Sequence, residues 1–383
     1  MTHLVPLIIA AIFAVIAVAT LVILVTGYRQ LSQLRDETPV RRPTPGVSIV
    51  IAARDEELHI ESAVRSLLRL DYPDYELIVV NDRSVDRTTE ILARVAADDP
   101  RLQVVTVTDL PAGWLGKNHA LQLGAGRAHK ELLLFADADI LLEPQALGKA
   151  VALLQREKAD HLTVAPELLL PTAPLALAIN YIFLHGVIAL RPWKTRDPDS
   201  SASAGIGAFN FMRASTYASI GRHERIRLRP DDDLMIGKLI KRSGFRQIVA
   251  LGMDEVRVEW YRTLGEAVRG FRKNSYAAVG YNLPLAIGAV AVNWVSVWPF
   301  IAVWITEGVV QALYVTTVLA WMAAFVYHGA VQRLRPWLAP FYPVAALIGG
   351  WTIADAVART LLRGGIEWRG TFYPLAELKR NRV

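Results

Sequence analysis

The alternation of hydrophobic and polar positions divides the chain into three stretches. From Leu4 to Gly27 every residue is apolar or small except Thr20 and Thr26, and Arg29, Arg35, Arg41 and Arg42 follow. At about 1.5 Å per residue this run is long enough to cross a hydrocarbon core of roughly 30 Å. Met1-Thr2-His3 lacks the basic flank of a signal peptide, so the run is expected to be an uncleaved anchor, and the arginines after it put the next domain in the cytoplasm. From about 46 to 260 the pattern changes. Short apolar runs, Val47–Ala52, Glu76–Val80, Leu102–Val107 and Glu131–Phe135, alternate with segments such as Glu57–Leu70 and Arg87–Ala97, whose apolar positions recur every three or four residues. Strand, helix, strand in alternation predicts an α/β domain with a mainly parallel sheet, which binds ligands at the carboxyl ends of its strands.

Long apolar character returns after Leu283. Leu283–Ile305 and Gly308–Ala330 form an expected transmembrane hairpin, with only Thr306-Glu307 between them and Arg333 and Arg335 after the second. In Pro340–Leu362 the apolar run is broken by Pro343, Gly349, Gly350, Asp355 and Arg359, which leaves spanning and re-entrant readings both open. Leu175–Leu190 is short, holds Asn180 and His185, and reads as a core or interfacial helix. The expected organisation is an anchor at 1–28, an α/β domain at 46–260, an interfacial amphipathic segment at 261–282, transmembrane helices at 283–365 and a basic tail at 366–383.

Composition narrows the chemistry. With 53% apolar and 20% charged residues the chain is too apolar to be disordered. The absence of cysteine excludes disulfides, thiolate metal sites and thiol nucleophiles, leaving Asp, Glu, His or backbone oxygens as metal ligands. The net charge of +6 comes from basic residues beside apolar runs, which suits an anionic membrane surface rather than nucleic acid. No motif speaks to oligomeric state.

Four acidic clusters follow strands or lie in nearby loops: Asp55-Glu56-Glu57, Asp82 to Asp86, Asp137-Ala138-Asp139 and Asp231-Asp232-Asp233. One such cluster is ordinarily a turn or helix cap. Several at one sheet edge would repel unless a divalent cation or ligand hydroxyls lay among them. In LLLFADADIL the two carboxylates sit two residues apart at a strand end, on one face, where they can share a metal or divide between metal and ribose.

The ordered segments VSIVIAARDEE, ELIVVNDRSVDRTTEIL, GWLGKNHALQLGAG, LLLFADADI and RPDDDLMIGKLIKRSGFR resemble the motifs of family 2 glycosyltransferases with the GT-A fold, from about Val47 to Tyr261. LPAGWLGKNHAL and the flanking apolar helices are similar to bacterial enzymes that glycosylate lipids, including hopene-associated and carotenoid glycosyltransferases. The resemblance implies inverting transfer from a nucleotide-diphosphate sugar, leaning to UDP, to a membrane lipid. It implies Mg²⁺ or Mn²⁺ held by Asp139 and Asp137, with Asp137 also facing the nucleotide. Ala53 and Glu56 would meet uridine or ribose, Asp82 the base, and Lys117 the diphosphate. Aligning the family's Glu-Asp-x-x-Leu on Leu234 makes Asp231 the general base and puts Pro230 where the family has Glu. Sliding the frame by one makes Asp232 the base, and Asp233 then caps the helix Leu234–Ser243. Residues 203–215 would border the acceptor, and Arg257–Asn274, with Trp260, Tyr261 and Phe271, would lie at the membrane surface. The absence of Gln-x-x-Arg-Trp favours one transfer over chain growth.

The runner-up is an exopolysaccharide or polyprenyl-phosphate glycosyltransferase. A haloacid dehalogenase-type phosphatase would want Thr or Val where Ile140 stands, and an inactive membrane scaffold would lack a metal or base residue.

Overall fold

The computed structural model describes residues 4–40 and 44–381; Met1-Thr2-His3, Arg41, Arg42 and Arg382 lie outside the described residues. The chain folds as two compact units. One comprises the chain up to Gln30, Leu170–Arg191 and Tyr261–Ile366; the other comprises Leu31–Leu169, Pro192–Trp260 and the chain from Glu367.

The first unit is helical: α1 (Leu4–Tyr28), α6 (Ala173–Leu190), α9 (Leu264–Ala278), α10 (Leu283–Val295), α11 (Trp298–Ala302), α12 (Gly308–Val331) and α13 (Tyr342–Arg363). Among the described residues five segments are long and apolar enough to cross a membrane: Leu4–Tyr28, Ala173–Lys194, Leu283–Ala302, Gly308–Val331 and Pro336–Arg363. Ile8, Ile12, Val15, Ile16 and Val22 of α1 are largely exposed, a surface that water would penalise. Helices α1 and α12 run parallel: Phe13 packs on Tyr314 and Trp321, and the Tyr28 hydroxyl lies 2.6 Å from His328 Nδ1. Helix α13 starts near the midpoint of α12, where Tyr342 stacks on Trp321 with ring centroids 5.5 Å apart. Its Asp355 accepts hydrogen bonds from Arg272 of α9 (2.6 Å) and Arg359 (2.7 Å). A capping box starts α9: Glu266 N–H donates to Thr263 Oγ1, and the Glu266 carboxylate accepts from Arg262 N–H.

The sequence placed α6 inside the 46–260 domain, whereas its packing groups it with the apolar helices. Leu175–Ile179 is an unbroken buried apolar run, so α6 has no polar face to offer water. Its Asn180 is satisfied by donating to the Phe325 carbonyl at 3.0 Å.

The second unit is the α/β one. Its strands are β1 (Ser32–Gln33), β2 (Val47–Ala53), β3 (Tyr75–Asp82), β4 (Leu102–Val107), β5 (Leu132–Ala136), β6 (Ile140–Leu142), β7 (His161–Ala165), β8 (Glu167–Leu168), β9 (Asn210–Arg213), β10 (Gln247–Leu251) and β11 (Val256–Val258). Its helices are α2 (Ile60–Leu68), α3 (Thr88–Asp98), α4 (Gly116–Ala125), α5 (Ala146–Arg156), α7 (Ala214–Ser219) and α8 (Asp232–Arg242). The main sheet runs β1-β10-β7-β9-β5-β2-β3-β4, parallel throughout except for β9, which is antiparallel to β5 and β7. Residues of β2 alternate between two cores: Ile49 and Ile51 pack in one with Leu77 and Leu134, and Val50 packs in the other with Leu133 and Phe135. Burial on both faces is what selects such continuous apolar strands. Strands β6, β11 and β8 form a small second sheet.

The last segment, with strand Thr371–Pro374 and helix α14 (Leu375–Arg380), belongs to this unit. Tyr373 and Leu378 are buried; Asn381 donates to the Arg225 carbonyl and accepts from Leu228 N–H, both at 3.1 Å. The expected basic tail is thus a packed part of the domain.

Candidate active site

Parallel strands β2, β3 and β5 lie side by side and deliver Glu56, Asp82 and the Asp137/Asp139 pair from their carboxyl ends. The loops after β2 and β3 are laced together. Asp55 N–H donates to Ser84 Oγ, Glu56 N–H to Thr88 Oγ1, Glu57 N–H to Asp86, and Val85 N–H to the Asp55 carboxylate. Asp55 and Asp86 therefore serve the loops, which separates them from the other acidic residues.

Lys117, in the first turn of α4, is the positive centre of what remains. Its Nζ lies 2.8 Å from Asp137 Oδ1 and 3.6 Å from Asp232 Oδ1. Asp137, Asp232 and Asp233 together hold its pKa well above the ordinary lysine value against the cost of burial. Asp139 makes no ion pair among the described residues; burial first, then Asp137 and Glu56, push its carboxyl up to about 7. Glu56 is raised too, chiefly by burial, with Arg369 opposing.

The aspartate triplet divides three ways. Asp231, placed as the base by aligning on Leu234, has both oxygens in a buried bidentate pair with Arg229, at 2.8 and 2.6 Å. Asp232 approaches Lys117. Asp233, expected only as a cap, accepts from Gly207 N–H and Leu234 N–H, both at 2.8 Å, and is pushed up to about 7 by burial and then by Asp232. Helix α8 begins at Asp232, two residues before the expected start, so these last two aspartates occupy its first turn.

The 204–207 loop presses against that turn. A Cβ on Gly205 would stand 1.8 Å from the Asp233 carbonyl oxygen, and one on Gly207 would stand 2.7 Å from Asp137 Oδ2. Buried Gln247 fixes this loop, accepting from Ala204 N–H at 2.8 Å and donating to the Ala204 carbonyl at 2.9 Å. The segment read as an acceptor border thus also supplies a backbone donor to Asp233. Asp82 is buried and paired with Arg83 at 2.7 and 3.0 Å, under Gly116. The Ala53 methyl is buried in the core, so only its backbone can meet a ligand.

Gln247, Arg229, Gly207 and Arg369 were not singled out from the sequence. Arg369 Nη2 bonds Glu56, and its Nη1 donates to the Asp55 carbonyl at 3.3 Å. Only the glycine spacing of SAGIGAFN carried a local signal.

Among the described residues no three His, Asp or Glu side chains form a complete metal cage. Asp137 and Asp139 nonetheless fit a divalent cation: they are hard oxygen donors, and Lys117 only partly offsets the like charges around Asp139. Such an ion would take its remaining oxygens from a ligand.

A mainly parallel sheet with acidic and lysine side chains at its carboxyl edge holds them where α/β folds bind their ligands. Residues 48–167 match Glycosyl transferase family 2. Over 122 residues, 31% of this chain and 26% of the relative, it is 35% identical to beta-monoglucosyldiacylglycerol synthase of Trichormus variabilis. Over 203 residues, 52% of each, it is 26% identical to 4,4'-diaponeurosporenoate glycosyltransferase of Staphylococcus haemolyticus. These matches span a quarter to a half of the relatives' lengths. The mannosyltransferase PcManGT from Pyrobaculum calidifontis, solved in complex with GDP-Man and Mn²⁺, shares the fold with a TM-score of 0.55 at 17% identity, over 92% of this chain and 99% of that one.

Proposed function

We propose that the protein transfers one sugar, with inversion, from a nucleotide-diphosphate sugar, UDP-linked by preference, to a hydroxyl of a membrane lipid. The observation that carries this reading is the Lys117 centre: one cation flanked by Asp137 on the donor side and by Asp232 and Asp233 at α8. Asp82 and Glu56 accept hydrogen bonds from base and ribose, and Lys117 turns its charge to the diphosphate. A divalent ion on Asp139 and Asp137 would supply charge neutralisation for the departing diphosphate. Asp233, oriented by two backbone N–H groups, takes the acceptor proton, and a single displacement from the face opposite the leaving group inverts the anomeric carbon. The lipid acceptor is supported by the names of two relatives and by the apolar helices. To test this, the full chain is incubated with labelled UDP-sugars, Mn²⁺ and membrane lipid. Label entering the organic phase is expected; water-soluble polymer, or free phosphate without transfer, overturns the reading.

The catalytic unit lies on the cytoplasmic side. Because α1 leads into Leu31 and runs parallel to α12, both helices end on that side. The chain leaves the α/β unit at Trp260 and rejoins it at Glu367, so between these points it crosses an even number of times. On this reading α10–α11 crosses outward, α12 returns, and α13 is re-entrant. Arg333 and Arg335 then fall on the cytoplasmic side, as the charge rule asks. Since the chain has no cysteine, single cysteines report sidedness cleanly. In intact cells an impermeant maleimide should label Glu307→Cys and spare Arg335→Cys; labelling of both would refute the hairpin.

A further inference from the structure

Arg369 and Gly370 both have positive φ, +50° and +74°, the pattern of a two-residue type I′ turn, where Asn-Gly is the favoured pair. An arginine occupies the first of these positions and reaches back to the end of β2, where it grips both the Glu56 carboxylate and the Asp55 carbonyl. Four residues on, Tyr373 is buried beside Gly116 and the Asp82–Arg83 pair. The C-terminal segment therefore touches the domain at two places: at Glu56, and at Gly116 beside Asp82. Glu56 and Asp82 are the side chains assigned to the nucleoside.

We propose that Arg369 is a positioning residue of the donor groove: it clamps Glu56 by one carboxylate oxygen against the end of β2, leaving the other oxygen set to accept from the donor's ribose. The inference rests on the proposed transferase reading. A guanidinium suits this task because its planar fork bonds a carboxylate and a neighbouring carbonyl at once, fixing the carboxylate's rotamer. It acts through Glu56, away from the reacting carbon, so it belongs to donor binding rather than turnover.

The test measures UDP binding in the presence of Mn²⁺ by calorimetry, together with donor KM and kcat, on the full chain and on Arg369→Ala, Arg369→Lys, Glu56→Gln and the Arg369→Ala/Glu56→Gln double variant. Arg369→Ala should weaken UDP binding and raise donor KM by about tenfold, with kcat within about twofold, and Arg369→Lys, which keeps the charge without the planar fork, should recover only part of the loss. The double variant should bind no more weakly than Glu56→Gln alone, because the arginine works through that carboxylate. Additive losses, unchanged UDP binding by Arg369→Ala, or a fall confined to kcat would overturn the proposal. If the unaltered chain binds neither UDP nor GDP, the transferase reading itself fails. If it binds and Arg369→Ala binds equally well, only the role of Arg369 is lost.

Discussion

Asp233→Asn is expected to lower kcat by about 10³-fold, within the range for loss of a general base, while UDP binding stays within a few-fold of the parent. The amide keeps the size of the side chain and can still accept from Gly207 N–H or Leu234 N–H, so the first turn of α8 should hold. What it loses is the capacity to take a proton. The parent's pH profile should carry the same signature. A base must be ionised to work, and burial with Asp232 alongside holds this one at about 7, so kcat should fall as pH drops through 7 and level off above it. The neighbours should behave differently. Asp231→Asn removes the charge from the buried Arg229 pair, and breaking such a pair costs up to about 3–5 kcal/mol, so its defect should appear as a lower Tm. Asp232→Asn removes one of the carboxylates around Lys117 and should raise donor KM. A well-folded Asp231→Asn or Asp232→Asn variant without turnover, beside an active Asp233→Asn, would put the base elsewhere in the triplet.

Asp139→Asn should abolish Mn²⁺-dependent UDP binding and, without ligand, make the protein more heat-resistant at pH 8. Both outcomes come from one cause. Burial, Asp137 and Glu56 raise the Asp139 carboxyl to about 7, so the folded state binds its proton more tightly than the unfolded chain does. The stability linked to that proton is complete below the unfolded value, near 4, and is lost as pH rises through 7. At pH 8 the side chain is an ionised group whose burial and like-charged neighbours Lys117 only partly offsets, and the amide removes that strain. For the same reason, Mn²⁺ with UDP should raise the Tm of the parent more at pH 8 than at pH 5.5, measured by differential scanning fluorimetry, and should leave Asp139→Asn unmoved. A variant that still shows the ligand-dependent shift would separate Asp139 from donor binding. Function here is maintained against stability, as expected where a site gathers like charges for a ligand.

The strands were the most legible part of the sequence because parallel strands buried on both faces need unbroken apolar runs. Leu102–Val107 matches β4 residue for residue, and Val47–Ala52 falls one residue short of β2. Strand β9 was harder to see: Asn210–Arg213 is four residues long, and polar Asn210 lies inside the sheet because His161 meets its side chain. Of the candidate site, the residues at strand ends were legible because the strands themselves fix them. The triplet was not, since three consecutive aspartates at a helix start point in different directions, and a one-residue change of frame exchanges their roles. Arg229 holds Asp231, and nothing local in RLRPDDD marks the pairing. Arg369 lay beyond sequence reasoning altogether: it stands more than three hundred positions from Glu56, in a stretch whose arginines and lysines resembled a solvated end.

That late-arriving stretch gives the order of synthesis a meaning. Tyr373, Leu378 and Asn381 are made after α12 and α13, yet they complete a unit whose first strands were made hundreds of residues earlier. On the proposed topology, a nascent chain that inserts one helix too many or too few would strand these residues across the bilayer from their docking surface. On the proposed reading, correct membrane insertion and a finished donor groove would become a single checkpoint, and a mis-threaded molecule would be silent without any outside inspector.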